Sequence, residues 1–148
     1  MTPWLKSIDI TNFRSIRGSI TIPLDASIVL VHGARRVSEI ACGETAVARL
    51  REDEHMGELA RDQLIHYPTV TREAFRNQGR ITALLENGKL CADAGLPPLD
   101  AKQDRAMICG SPAMLADLRS LLDARGFHIS PHTGEPGDYV VERAFVEK

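Results

Sequence analysis

Ala106-Met107-Ile108-Cys109-Gly110-Ser111-Pro112 is the stretch whose reading sets the fold class. Its first four residues form a short uncharged run, the pattern of a buried strand in a parallel sheet. Gly110 permits a close backbone approach, Ser111 is an N-cap residue, and Pro112 suits a first helical turn. Met114, Leu115, Leu118, Leu121 and Leu122 then line one helix face, and Gly126 marks its end. A strand running into a capped helix is the building unit of an α/β sheet.

Working outward, Leu64 to Val70 reads as a second buried strand, with Pro68 near its end. Ile28-Val29-Leu30-Val31 is a continuous apolar run, which predicts a strand covered on both faces. Residues 37–62 read as helical, and Ile81 to Leu90 as a short helix stopped by Asn87-Gly88. Leu96-Pro97-Pro98 is loop, and Tyr139 to Val146 is a last strand. Strand and helix thus alternate from Ile28 onward, which predicts a parallel sheet with helices on its faces. Before Ile28 the pattern changes. Ile8 and Ile10 alternate with Asp9 and Thr11, and Ile20, Ile22 and Leu24 with Thr21 and Pro23. That is a β-hairpin turning at Arg17-Gly18, with Pro23 restricting its second strand to an edge.

A chain of 148 residues is long enough for one domain with a real core. Its net charge of −2 argues against a body that grips nucleic acid or an anionic membrane. No apolar run reaches the length of a membrane helix. Cys42, Cys91 and Cys109 are an odd number at wide spacing and read as free thiols. A cytoplasmic protein is the expectation.

Ligands of parallel α/β sheets bind at the carboxyl ends of the strands. The residues there are Gly33-Ala34-Arg35, Thr71-Arg72-Glu73 and Gly110-Ser111-Pro112, with Arg80 in a following loop. Guanidinium groups grip phosphate oxygens in a forked geometry. Arg35, Arg72 and Arg80, if they converge, make a phosphomonoester pocket suited to the 2′-phosphate of NADP; otherwise they are solvated surface arginines. Cys109 is either a nucleophile or group beside a flat ring, or a buried structural thiol. The five histidines show no metal-binding spacing, so no metal is expected. A phosphate loop beginning at Gly33 needs Gly-Lys-Ser/Thr where the chain has Ser38-Glu39-Ile40, which argues against ATP hydrolysis.

From about Val29 to Lys148 the chain resembles the C-terminal half of bacterial ferredoxin–NADP⁺ reductases. The resemblance rests on Val31-His32-Gly33-Ala34-Arg35, Tyr67-Pro68-Thr69-Val70-Thr71-Arg72-Glu73, Asn77-Gln78-Gly79-Arg80 and Leu96-Pro97-Pro98. It continues through Asp104-Arg105-Ala106 to Pro112, and through Gly134-Glu135-Pro136-Gly137-Asp138-Tyr139 to Lys148. It implies an NADP(H)-binding domain in which Arg35, Arg72 and Arg80 hold the 2′-phosphate. It further implies that Thr71 lies along the cofactor and that Cys109, Gly110 and Ser111 sit near the nicotinamide, with Cys109 the catalytic candidate. The tail with Ala144 and Phe145 is implied to pack on flavin. Ferredoxin or flavodoxin is the implied protein partner.

Residues 1–33 look instead like the opening of P-loop ATPases of the SMC/RecF-like kind. That likeness lies in Leu5-Lys6-Ser7-Ile8-Asp9-Ile10-Thr11-Asn12-Phe13-Arg14 and its continuation to Gly18, and in Ile22-Pro23-Leu24-Asp25. Together the two resemblances imply a chimera joined within Ile28–Gly33. Its parts are an ATPase-like hairpin over 1–28, replacing the first strand of the sheet, and a reductase-like domain over 29–148. The reductase family's FAD-binding barrel, with its Arg-x-Tyr-Ser motif, and its Gly-Thr-Gly turn have no counterpart here. FAD is therefore implied by the family but not expected on this chain alone. The expected function is an NADP(H)-binding oxidoreductase domain without independent flavin-dependent electron transfer. The alternatives are a degenerate DNA-repair-type ATPase fragment and a non-catalytic interaction module pairing through Ile20–Leu24.

Overall fold

In the computed structural model, which describes residues 7–11, 19–23, 27–132 and 135–142, the alternating residues near the N-terminus form β1 (Ser7–Thr11) and β2 (Ser19–Pro23). These pair antiparallel, with Ile8 opposite Ile22 and Ile10 opposite Ile20. The predicted turn at Arg17-Gly18 lies outside the described residues. There follow β3 (Ile28–Ala34), α1 (Ala41–Glu52), α2 (Gly57–Gln63), β4 (Leu64–Val70), α3 (Ile81–Glu86) and α4 (Lys89–Asp93). The chain ends through β5 (Ala106–Cys109), α5 (Pro112–Ala124) and β6 (Tyr139–Glu142). The expected α/β class with parallel strands is observed. The expected single parallel sheet is not: β3 pairs with β4 and β5 with β6, each as a separate two-stranded parallel sheet.

These pairs belong to two compact units, Asp25–Pro98 and Met1–Leu24 with Leu99–Lys148. This grouping cuts the chain differently from the expected division into 1–28 and 29–148, since it parts the two parallel pairs after Pro98.

In the Asp25–Pro98 unit, β3 and β4 run in register from Ile28 beside Leu64 to Ala34 beside Val70. Tyr67, Leu84 and Leu90 form a buried cluster, with Val29, Val31 and Leu85 packed on it. The Tyr67 hydroxyl donates to Asp93 at 2.7 Å, fixing α4 to β4. The opposite face carries His32 against α1, where a Cβ on Gly43 would lie 2.6 Å from the His32 ring. The expectation that β3 is covered on both faces fails at its start, where Ile28 is 57% and Leu30 44% exposed. Among the described residues β3 pairs with β4 alone, and α1 on this face meets it at His32.

The helical stretch expected over 37–62 is made of a 3₁₀ turn at Val37–Glu39, α1 and α2. Its break has a local cause: Asp53 ends α1, and its carboxylate accepts from the backbone N–H groups of His55 and Met56 in the turn that follows. The helix from Ile81 stops earlier than expected, at Glu86, and Gly88 at φ 77° then starts α4.

In the other unit, Ser111 accepts from the Met114 N–H at 3.3 Å and Pro112 opens α5, as its sequence predicts. Leu115, Leu118, Leu121 and Leu122 are buried, as are Ile108, Phe127 and Tyr139. Strand β6 is described to Glu142, so the rest of the strand expected to reach Val146 lies outside the described residues. A Cβ on Gly137 would lie 2.3 Å from the Ser130 backbone nitrogen, so only glycine fits this turn into β6.

Tyr139 is 1% exposed, and its hydroxyl donates to Asp123 of α5 at 2.7 Å. Tyr139→Phe keeps the ring and loses the bond, at an expected cost of about 0.5–1.5 kcal/mol. Tyr139→Ala also opens a cavity and costs about 3–5 kcal/mol. Urea unfolding of the three proteins measures the difference, and equal losses would show that packing contributes nothing here.

Candidate functional site

Parallel pairing of β3 with β4 fixes what lies at their carboxyl ends. The ladder continues beyond the strands: the Thr71 N–H donates to the Ala34 carbonyl at 3.1 Å, and the Arg72 N–H to the Arg35 carbonyl at 2.9 Å. Arg35 and Arg72 therefore leave adjacent backbone segments. On the far side of β4, the Val70 N–H donates to Asn77 and the Gly79 N–H returns to Val70. The buried Thr69 hydroxyl also donates to the Gly79 carbonyl at 2.7 Å, and the Asn77 side chain to the Pro68 carbonyl at 3.0 Å. These bonds lay the 77–79 loop along β4 and put Arg80, which caps α3, in the same row.

Arg35, Thr71, Arg72 and Arg80 thus stem from three neighbouring backbone segments at one end of one sheet. All three arginines are exposed at that rim. Three arginines on neighbouring segments at one sheet end are a cation set suited to a phosphate dianion, which guanidinium groups bind through paired N–H donors.

The sequence reading gave no role at this rim to three residues. Arg36 is a fourth exposed guanidinium, next to Arg35. The Glu39 carboxylate accepts from the N–H groups of Arg35 and Arg36, each at 2.8 Å. Glu73 accepts from the Val37 N–H. The two backbone bonds, and the charges of Arg35 and Arg36 after them, hold the Glu39 carboxyl below the usual carboxylate range. A signal for Glu39 was present, because it lies three residues after Arg36, the spacing at which a carboxylate reaches back to a helix cap. Glu73 had no such signal, since its contact spans two loops.

On the same face as α1, the His32 and His66 rings stack with centroids 6.1 Å apart. Burial, then the neighbouring His32, pushes the His66 pKa down, which favours the neutral ring. Among the described residues no cluster of His, Cys, Asp and Glu is arranged to hold a metal ion.

Cys109, Gly110 and Ser111 stand at the carboxyl end of β5, in the other unit. Cys109 is exposed, so the alternative of a buried structural thiol is set aside; Cys91 is the buried one. A Cβ on Gly110 would lie 2.7 Å from the Met114 sulfur. Ala144 and Phe145 lie outside the described residues. Among the described residues no helix is long and apolar enough to cross a membrane.

No family model matches the chain. It is 54% identical over 121 residues to a ferredoxin–NADP reductase of Azotobacter vinelandii, covering 82% of this chain and 47% of that protein. It is 55% identical over 121 residues to a ferredoxin–NADP reductase of Pseudomonas aeruginosa, with the same coverage of 82% and 47%. Against a flavodoxin/ferredoxin–NADP reductase of Rhodobacter capsulatus the identity is 41%, over 80% of this chain and 44% of the relative. The fold is similar to a crystal structure of a ferredoxin NADP⁺ reductase from Neisseria gonorrhoeae with bound FAD and NADP. There the TM-score is 0.63 at 25% identity, covering 79% of this chain and 44% of that one. The chain thus spans about half the length of the relatives it matches. The likeness is to the C-terminal, NADP-binding part of such reductases. The resemblance of residues 1–33 to P-loop ATPases, and with it the chimera, gains no support from these comparisons.

Thr69 is fully buried, and its hydroxyl bond to Gly79 holds the loop that leads to Arg80. Thr69→Val keeps the shape but leaves the Gly79 carbonyl without that donor, at an expected cost of about 1–3 kcal/mol. Hydrogen exchange at the Gly79 amide, which bonds to Val70, should quicken in the variant. Unchanged exchange there would show that the loop is held by other contacts.

Proposed function

We propose that this chain is the NADP(H)-binding part of a ferredoxin–NADP⁺ reductase-type oxidoreductase, with Arg35, Arg72 and Arg80 holding the cofactor's 2′-phosphate. The observation that carries the proposal is the hydrogen-bonded row from Arg35 through Arg72 to the Gly79–Arg80 turn. Thr71, whose N–H is fixed to Ala34 in that row, lies along the cofactor. NADP(H) fits the rim because its 2′-phosphate is a monoester dianion, the group for which several guanidiniums are suited. Arg36 joins this set by position.

In the same proposal Cys109, Gly110 and Ser111 lie near the nicotinamide, with Cys109 the catalytic candidate. Its exposure at a strand end agrees with that role. FAD, when bound, supplies the exchange between a two-electron hydride and single electrons. Its place is on a flavin domain outside the matched part, with Ala144 and Phe145 packing against it and ferredoxin or flavodoxin as the electron partner. The reading as an ATPase fragment is disfavoured by the turn after β3. There the Glu39 carboxylate fills the backbone N–H groups that a triphosphate-binding loop keeps for phosphate. The reading as a non-catalytic interaction module draws on Ile20–Leu24, of which only the backbone pairing of β2 is described.

Titration of the chain with NADP⁺ and NAD⁺ tests the assignment. A charge-assisted hydrogen bond contributes about 1.5–3 kcal/mol, so Arg72→Ala should weaken NADP⁺ binding roughly 10- to 100-fold. NAD⁺ carries no 2′-phosphate, and its affinity should stay within about twofold. Equal losses for both dinucleotides contradict the role given to Arg72.

A further inference from the structure

We propose that Glu39 and Glu73 are positioning residues, which lock the Arg35–Val37 turn so that its guanidinium groups face the 2′-phosphate; this rests on the phosphate assignment above. Three successive backbone N–H groups of the turn end on carboxylates. Arg35 and Arg36 donate to Glu39 at 2.8 Å each, and Val37 donates to Glu73. Glu39 lies within the same turn, so it fixes the turn's shape. Glu73 follows Arg72, so its bond ties the loop carrying Arg35 to the loop carrying Arg72. The two arginine-bearing loops thereby become one body.

Two consequences follow from the chemistry. First, backbone N–H groups in a turn form a natural anion cradle. Here they are already occupied, and recognition falls to the guanidinium side chains, whose order depends on the turn that bears them. Second, two carboxylates beside a phosphate site oppose phosphate binding by charge. That repulsion is weak because Glu39 is exposed and screened by solvent and salt. Ordering of the loop outweighs it, since each mobile side chain must otherwise be immobilised when the ligand arrives.

The test compares the parent chain with Glu39→Ala, Glu39→Gln, Glu73→Ala and Glu73→Gln, titrated with NADP⁺ and NAD⁺. Each alanine variant should raise the Kd for NADP⁺ about three- to tenfold and leave that for NAD⁺ within about twofold. Glutamine keeps an acceptor oxygen and loses the charge, so it should restore NADP⁺ binding to within about twofold of the parent. The NMR signals of the Arg35 and Arg36 amides give a readout independent of ligand. In the parent they should hold at neutral pH and shift only as acid protonates Glu39 below the ordinary carboxylate value, because a lowered pKa keeps the clamp in place above it. If the alanine variants bind NADP⁺ as tightly as the parent, or more tightly, repulsion outweighs ordering and the positioning role is overturned. Equal weakening for both dinucleotides, or no rescue by glutamine, also overturns it. A parent chain that does not prefer NADP⁺ overturns the phosphate assignment itself, an outcome distinct from the others.

Discussion

The register of β3 against β4 is the constraint on which the site depends. It sets Ala34 beside Val70 at the strands' ends and carries on as bonds from Thr71 to Ala34 and from Arg72 to Arg35. In a parallel pair the side-chain period is two, so a slip of one residue reverses every side chain. Such a slip of β3 would turn Val29 and Val31 away from Tyr67, Leu84 and Leu90, on which they pack. Burial of that apolar face therefore fixes the register, and the register fixes where the arginines stand. The arrangement of the rim rests on packing below it.

The rim also shows how cations are kept apart and available. Four exposed arginines, Arg35, Arg36, Arg72 and Arg80, leave the backbone at one sheet end, and two carboxylates bond to that backbone. Glu39 and Glu73 take N–H donors of the Arg35–Val37 turn. Arg76 is a contrast: it pairs with Glu44 at 3.2 Å and lies over the Phe75 ring. Its charge is already engaged.

Each unit carries a parallel pair with one apolar flank open. Ile28 and Leu30 are exposed on β3, and Met107 at 71% and Val140 at 42% on the paired strands β5 and β6. Parallel sheets ordinarily bury both faces.

Some of this was legible in the residues alone. Ser111-Pro112 marked the start of α5, Gly126 its end, and the strands over Leu64–Val70 and Ala106–Cys109 were bounded correctly. These signals are local: a cap hydroxyl, a fixed φ, an uninterrupted apolar run. The alternation of strand and helix gave the α/β class, and the arginines' positions after strands gave the rim. What the residues could not give was anything resting on distant neighbours. Cover on β3 depends on which segments pack over its faces, which no pattern within Ile28–Val31 records. The separate pairing of β5 with β6 is a matter of which edges meet. The bond from Val37 to Glu73 joins residues 36 positions apart and has no sequence period. Local backbone preference determined the elements and their ends; tertiary structure decided which edges paired, which faces stayed bare and which carboxylate held the arginine turn, because each depends on chain segments meeting in space.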